Sequence, residues 1–149
     1  MKVVVQRSNK AKVLVDNKVV GQIDKGMMLL VGYTNNDTEK EIDYMVNKII
    51  NLRIFDDENG VMNKNILDYG GSILSVSQFT LYADSRKGNR PSYINALKGE
   101  EAVKLYDLFN KKLSEKIKVE AGIFGAEMKV DFINDGPITI ILEKEGNNV

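Results

Sequence analysis

The 149-residue chain has no histidine and no cysteine. Without histidine it lacks the usual general base near neutral pH, the commonest metal ligand and every Ser-His or Cys-His arrangement. Without cysteine it has no disulfide, no thiolate metal site and no thiol nucleophile, which suits a reducing, cytoplasmic setting. Neither a metal nor a cofactor is therefore expected. Net charge is missing too, because 21 basic side chains balance 21 acidic ones. A nucleic-acid partner must then be met by a local patch, and no DNA partner is expected. No run approaches the ~18 consecutive apolar residues of a membrane span, and Met1-Lys2-Val3-Val4-Val5-Gln6-Arg7 turns polar too soon for a signal peptide. No membrane partner is expected.

What is present reads as one domain over residues 1–149, large enough to bury roughly 68 to 70% of its unfolded surface. Val3, Val4 and Val5 are β-branched and predict a first strand ending near Gln6 and Arg7. Residues 12–15 and 18–23 flank Asp16-Asn17, a pair tolerant of positive φ, and predict a hairpin. The unbroken run Met27-Met28-Leu29-Leu30-Val31 predicts a central strand covered on both faces. Thr38 and Glu41 have capping-box spacing, and Ile42, Met45, Val46, Ile49 and Ile50 recur at helical spacing, so residues 38–52 predict a helix. The acidic stretch at 56–60 lacks the ligand positions of a calcium loop and reads as a solvated turn. A second amphipathic helix is expected from Glu100 to about Ile117, and strands over 118–123, 128–133 and 137–142. From Glu143 the charged, Asn-rich end is expected to fray. The order implies an α+β fold, antiparallel-rich sheets or a barrel carrying two main helices.

The chemistry centres on Ser77-Gln78-Phe79-Thr80-Leu81-Tyr82-Ala83-Asp84. Leu74 and Val76 alternate in one phase, Phe79 and Leu81 in the other. A slip at Ser77 and Gln78 implies a bulge or a strand end, where backbone N–H groups lose their ladder partners. Alone, it is a polar strand terminus. The loop at 85–93 carries Arg86, Lys87 and Arg90 in five residues, either a solvated surface or a phosphate-contacting arm. Gly122, Gly125 and Ala126 bracket Phe124 with small residues, which suits close backbone approach or tight packing. Asn134-Asp135-Gly136-Pro137 alone reads as a turn opening a strand.

Read together, Ser77-Gln78-Phe79-Thr80-Leu81-Tyr82 and Asn134-Asp135-Gly136-Pro137-Ile138-Thr139 resemble the paired signatures of the D-aminoacyl-tRNA deacylases, chirality checkpoint enzymes of translation. Val4-Val5-Gln6-Arg7, Lys87-Gly88-Asn89-Arg90-Pro91-Ser92 and Gly122-Ile123-Phe124-Gly125-Ala126-Glu127-Met128 are similar to further blocks of that family; Ser8 and Ile138 stand where it often has Val. The resemblance implies a homodimer in which a cis Gly136-Pro137 dipeptide enters the partner's site and is braced by Arg7. Its two carbonyls would hold the substrate amino group so that an L side chain collides with backbone, while glycine, including glycyl-tRNA(Ala), passes. The implied reaction is hydrolysis of D-aminoacyl-tRNA. Thr80 as nucleophile would lack a base. The resemblance favours ribose 2′-hydroxyl assistance, with the Phe79 and Thr80 N–H groups holding the oxyanion and Ser77 and Gln78 orienting substrate and loop. Phe124 and Met128 would border the terminal adenine, although the alternation also suits Met128 as core, and Arg86, Lys87 and Arg90 would contact tRNA. The competing readings are a non-catalytic RNA-binding or dimeric interaction module on the same fold, and a general Ser/Thr esterase.

Overall fold

The structure is a computed structural model that describes residues 1–146. A long strand, β1 (Lys2–Val15), forms its spine. The expected first strand and the first arm of the hairpin are one element, kept continuous by Lys10, whose φ of 50° swaps the face its neighbours present. Val3 and Val5 therefore join a core beneath the helices, while Ala11 and Val13, at the same parity, join a second core inside the curl of the sheet.

After the Asp16-Asn17 turn, where both residues have positive φ, β2 (Lys18–Gln22) pairs antiparallel with the end of β1. Strand β3 (Lys25–Gly32) pairs antiparallel with its beginning. Met27, Leu29 and Val31 face the helical core, and Met28 and Leu30 face the inner one, so β3 is covered on both sides. Helix α1 (Glu39–Asn51) opens with the expected capping box and buries Ile42, Met45, Val46, Ile49 and Ile50. Sequence reading missed a small hairpin, β4 (Phe55–Asp56) and β5 (Met62–Lys64), and a single turn of helix, α2 (Ile66–Tyr69). These elements are too short to show a period. Asp57 builds the acidic turn by accepting the N–H groups of Asn59 and Val61.

Strand β6 (Ser72–Ser77) runs parallel to β3, and β7 (Val119–Ala121) runs parallel to β6. Between them lies α3 (Gly99–Ser114), which packs Tyr106, Phe109 and Leu113 into the helical core. The sheet order is β2-β1-β3-β6-β7, and its ends approach each other. A Cβ on Gly21 in β2 would lie 2.8 Å from the Ala121 carbonyl oxygen of β7, so the glycine permits the sheet to curl nearly closed.

The last strand, β8 (Lys129–Glu143), lies along the other edge of β1. The two strands expected around Asn134 are one. Its register is broken, however, because Gln6 pairs with Thr139 and Ser8 with Asn134, so Asp135, Gly136, Pro137 and Ile138 together face Arg7 alone. The expected fray does not begin at Glu143. Glu143 pairs with Lys2, and the Lys144 N–H donates to the Met1 carbonyl. Residues 147–149 of that expected tail lie outside the described residues. Among the described residues no helix is long and apolar enough to cross a membrane.

Candidate active site

The parallel strands β3 and β6 end side by side, at Gly32 and Ser77. The Gln78 N–H donates to the Val31 carbonyl at 2.7 Å, and there the ladder stops. Of the two outcomes the phase slip allowed, a bulge or a strand end, the second occurs. The chain turns at once into one turn of 3-10 helix, Phe79–Tyr82, closed by Leu81 N–H donating to the Gln78 carbonyl. The first N–H groups of any helix lack intrahelical acceptors. Those of Phe79 and Thr80 have no hydrogen-bond partner among the described residues.

Gly32 makes this junction possible. A Cβ there would sit 2.9 Å from the Gln78 carbonyl oxygen and 3.1 Å from Leu81 Cβ. The Gln78 side-chain amide donates to the Thr80 hydroxyl oxygen, which orients that hydroxyl. Beneath the strand end, Tyr106 donates its hydroxyl to the Ser75 carbonyl at 2.8 Å, and its ring packs 5.9 Å from that of Phe124. Burial pushes the Tyr33 and Tyr106 phenols above their ordinary value, so both are neutral donors.

The junction forms one wall of a cleft of about 250 Å³. Ser77, Gln78, Phe79, Phe124 and Met128 all line it, together with Gly125 and Ala126. Met128 also packs against the inner core, as the alternation of its strand suggests. Tyr33, Leu97 and Ala102 line it as well, with Val31, Gly32, Val76 and Val130; Ala102 follows the core stripe of α3, and Tyr33 and Leu97 lie outside helix and strand, so no period marks them. No lining residue carries a formal charge. A larger depression of about 680 Å³ lies over Lys10, Lys12, Asp24, Lys118 and Asp131 but contains none of the expected site residues and is open to solvent.

The remaining expected residues lie apart from this cleft within the chain. The Gly136-Pro137 bond is cis and both residues are exposed. Arg7 holds the segment in place: its Nε donates to the Asp135 carbonyl at 3.2 Å, and its guanidinium reaches the Ile54 carbonyl and the Asp56 and Asp135 carboxylates. Asp56 is therefore partly engaged, where sequence reading left the acidic stretch solvated. Asn134 closes the base by accepting the Ile138 N–H and donating to Thr139 Oγ1. The basic loop is pinched at its neck by paired Asp84 and Ser92 backbone bonds. Arg86 folds onto Asp84 through two bonds of 2.9 and 2.7 Å and holds that carboxyl at about 2, well below the ordinary carboxylate range. Lys87 and Arg90 are exposed and have no ion-pair partner among the described residues.

The sequence matches the family described as D-Tyr-tRNA(Tyr) deacylase over residues 4–143. A D-aminoacyl-tRNA deacylase of Brevibacillus brevis is 60% identical over 144 residues, covering 96% of this chain and 99% of that protein. One of Bacillus cytotoxicus is 54% identical over 146 residues, covering 97% and 100%. Among solved structures, a c-Myc DNA unwinding element binding protein superposes with a TM-score of 0.92 at 41% identity, covering 98% of this chain and 100% of that one. A probable eukaryotic D-amino acid tRNA deacylase shares the fold, with a TM-score of 0.80 at 18% identity over 95% and 97% of the two chains. By a family match along nearly its whole length, the chain belongs to the D-Tyr-tRNA(Tyr) deacylases.

Proposed function

We propose that this chain hydrolyses the ester joining a D-amino acid to the terminal ribose of tRNA. Family membership makes it an ester hydrolase. One observation carries the reading: two unpaired backbone N–H groups, on Phe79 and Thr80, stand beside an uncharged cleft. Such a site has no side chain able to act as a base, but it can stabilise charge that develops on a carbonyl oxygen. One pre-oriented donor of this kind is worth on the order of 10² to 10³ in rate elsewhere.

In this mechanism water attacks the ester carbonyl, assisted by the 2′-hydroxyl of the substrate ribose, and the carbonyl oxygen gathers charge against the two N–H groups. The bond to the ribose oxygen breaks, that oxygen takes a proton, and free D-amino acid and tRNA leave. Ser77 and Gln78 orient substrate and turn, and Phe124 and Met128 border the terminal adenine. The functional unit is a homodimer in which the Gly136-Pro137 segment of a second copy, braced by Arg7, enters the cleft and excludes L side chains. Glycyl esters, including glycyl-tRNA(Ala), pass that filter. Arg86, Lys87 and Arg90 contact the tRNA backbone. The reading of the second copy is supported by the outer edge of β8, which carries no strand among the described residues, and by Ile133 and Ile141 on the outward face of that strand, 55% and 69% exposed.

The test mixes purified protein with D-Tyr-tRNA and L-Tyr-tRNA and measures free tyrosine over time. Turnover of the D ester alone is expected. Binding of both without turnover would instead indicate a non-catalytic RNA-binding module, and tRNA-independent turnover with covalent labelling of Thr80 would indicate a general esterase.

A further inference from the structure

At the rim of the cleft, three side chains outside the roles above form a cluster. The Phe79 ring, 45% exposed, meets the Tyr93 ring edge to face at a centroid distance of 5.1 Å. The Lys98 ammonium lies over both, 5.3 Å from the Phe79 centroid and 5.6 Å from that of Tyr93. Phe79 lines the cleft, and so does Leu97, the residue before Lys98. The cluster and the cleft thus share a wall.

Two features of this cluster bear on what it can bind. The exposed Phe79 ring, backed by the half-buried Tyr93, leaves apolar ring surface in water, which a lone solvated lysine does not require. The Lys98 charge is also not neutralised by the protein, since no carboxylate lies within ion-pair distance among the described residues. Arg86 on Asp84 and Lys112 between Glu39 and Asp43 are held by carboxylates, whereas Lys98, like Lys87 and Arg90, keeps its charge available to an outside anion. Aromatic rings beside an unpaired cation match the recurring way proteins hold single-stranded nucleic acid: bases stack on rings and the cation meets the backbone.

We propose that Phe79, Tyr93 and Lys98 form a subsite for the nucleotide next to the terminal adenosine, its base stacking on the Phe79–Tyr93 pair and its phosphate meeting Lys98. This rests on the deacylase reading, which puts the terminal adenosine in the adjoining cleft. Stacking tolerates any base and reads none. The subsite would therefore grip the single-stranded end shared by all tRNAs without selecting among them. It would also tie the wall that carries the Phe79 N–H to the bound RNA.

The experiment compares D-tyrosyl-tRNA with D-tyrosyl-adenosine, which lacks this nucleotide and the rest of the RNA, using wild type, Lys98→Gln, Tyr93→Leu and the double variant. The readout is the ratio of kcat/KM for the tRNA ester over the adenosine ester. The expected result is a fall in that ratio of about tenfold for Tyr93→Leu, through KM, matching the loss of one stacked base. For Lys98→Gln the slope of log(kcat/KM) against log salt for the tRNA ester should become shallower by about 0.7, the value of one single-strand phosphate contact. Equal losses on both substrates would assign these residues a purely structural role and overturn the subsite. So would an unchanged ratio with an unchanged salt slope. A wild type inactive on both esters would remove the deacylase reading itself, before any variant is compared.

Discussion

Gly32 and Thr80 separate two accounts of the reaction. If the Thr80 hydroxyl were the nucleophile, its removal would abolish turnover. If the N–H groups of the 3-10 turn do the work, the hydroxyl is replaceable, because it only accepts a hydrogen bond from Gln78. Thr80→Ala should then keep kcat within about tenfold of wild type. Gly32→Ala should be far worse although it touches no reacting group. Its new methyl would crowd the Gln78 carbonyl, which is backbone and cannot rotate away, and so push the turn off its position. A misplacement approaching 1 Å costs about 10² in rate. Single-turnover hydrolysis of D-Tyr-tRNA by the two variants checks both, with circular dichroism to show that each is folded; near-complete loss in Thr80→Ala alone would restore the nucleophile.

Among the elements, legibility tracked period. Helix α1 was visible in sequence because it repeats a helical period over many residues and announces its start, and the doubly covered strand β3 because its apolar run is unbroken. The joins were not visible. Nothing local shows that Lys10 lets β1 run on, or that β8 continues through Asn134 to Ile138 by looping out against Arg7, since both depend on pairing with strands distant in the chain. The cleft was half legible. Ser77 to Phe79 and Phe124 stood out by composition or by family likeness, whereas Tyr33, Leu97 and Ala102 differ from core only in where the fold puts them. The start of α1 yields a pH prediction. Burial alone would raise the Glu41 carboxyl, but the Thr38 hydroxyl and N–H, donating to Oε2 at 2.8 and 2.6 Å, hold it below its ordinary value. A carboxylate depressed in the folded state stabilises above its unfolded value of about 4.3, and that stabilisation is lost as pH falls through the native one. Glu41→Ala should therefore cost about 1 kcal/mol at pH 7. The gap to wild type, measured by urea unfolding from pH 7 to 3, should narrow below pH 4; a gap independent of pH would mean that packing, not charge, is what Glu41 contributes.

At the scale of the whole molecule, the parts of the proposed site do not meet within one chain. The unpaired N–H groups belong to the junction of β3 and β6, whereas Gly136 and Pro137 are exposed on the looped-out segment of β8 and do not line that cleft. On the proposed mechanism, a single chain therefore holds the means to stabilise an oxyanion but leaves its cleft without the dipeptide proposed to exclude L side chains. If a second copy supplies that dipeptide, rate and selectivity must respond differently to dilution. An isolated chain would keep its turn and retain slow hydrolysis but would lose preference for the D ester; a dimer has both. Zero net formal charge presents no long-range repulsion to such pairing. An interface of the usual ~1,600 Å² would bring the apolar edge of β8, with Ile133 and Ile141, out of water. The ratio of D-Tyr-tRNA to L-Tyr-tRNA hydrolysis should therefore fall as protein concentration drops through the dimer dissociation constant, in step with the sedimentation coefficient of the same samples. Ile141→Lys, which places a charge on that edge, should move both transitions to higher concentration together. Full D selectivity in a species that sediments as a monomer would show that one chain completes the filter alone, and would end the case for a shared site.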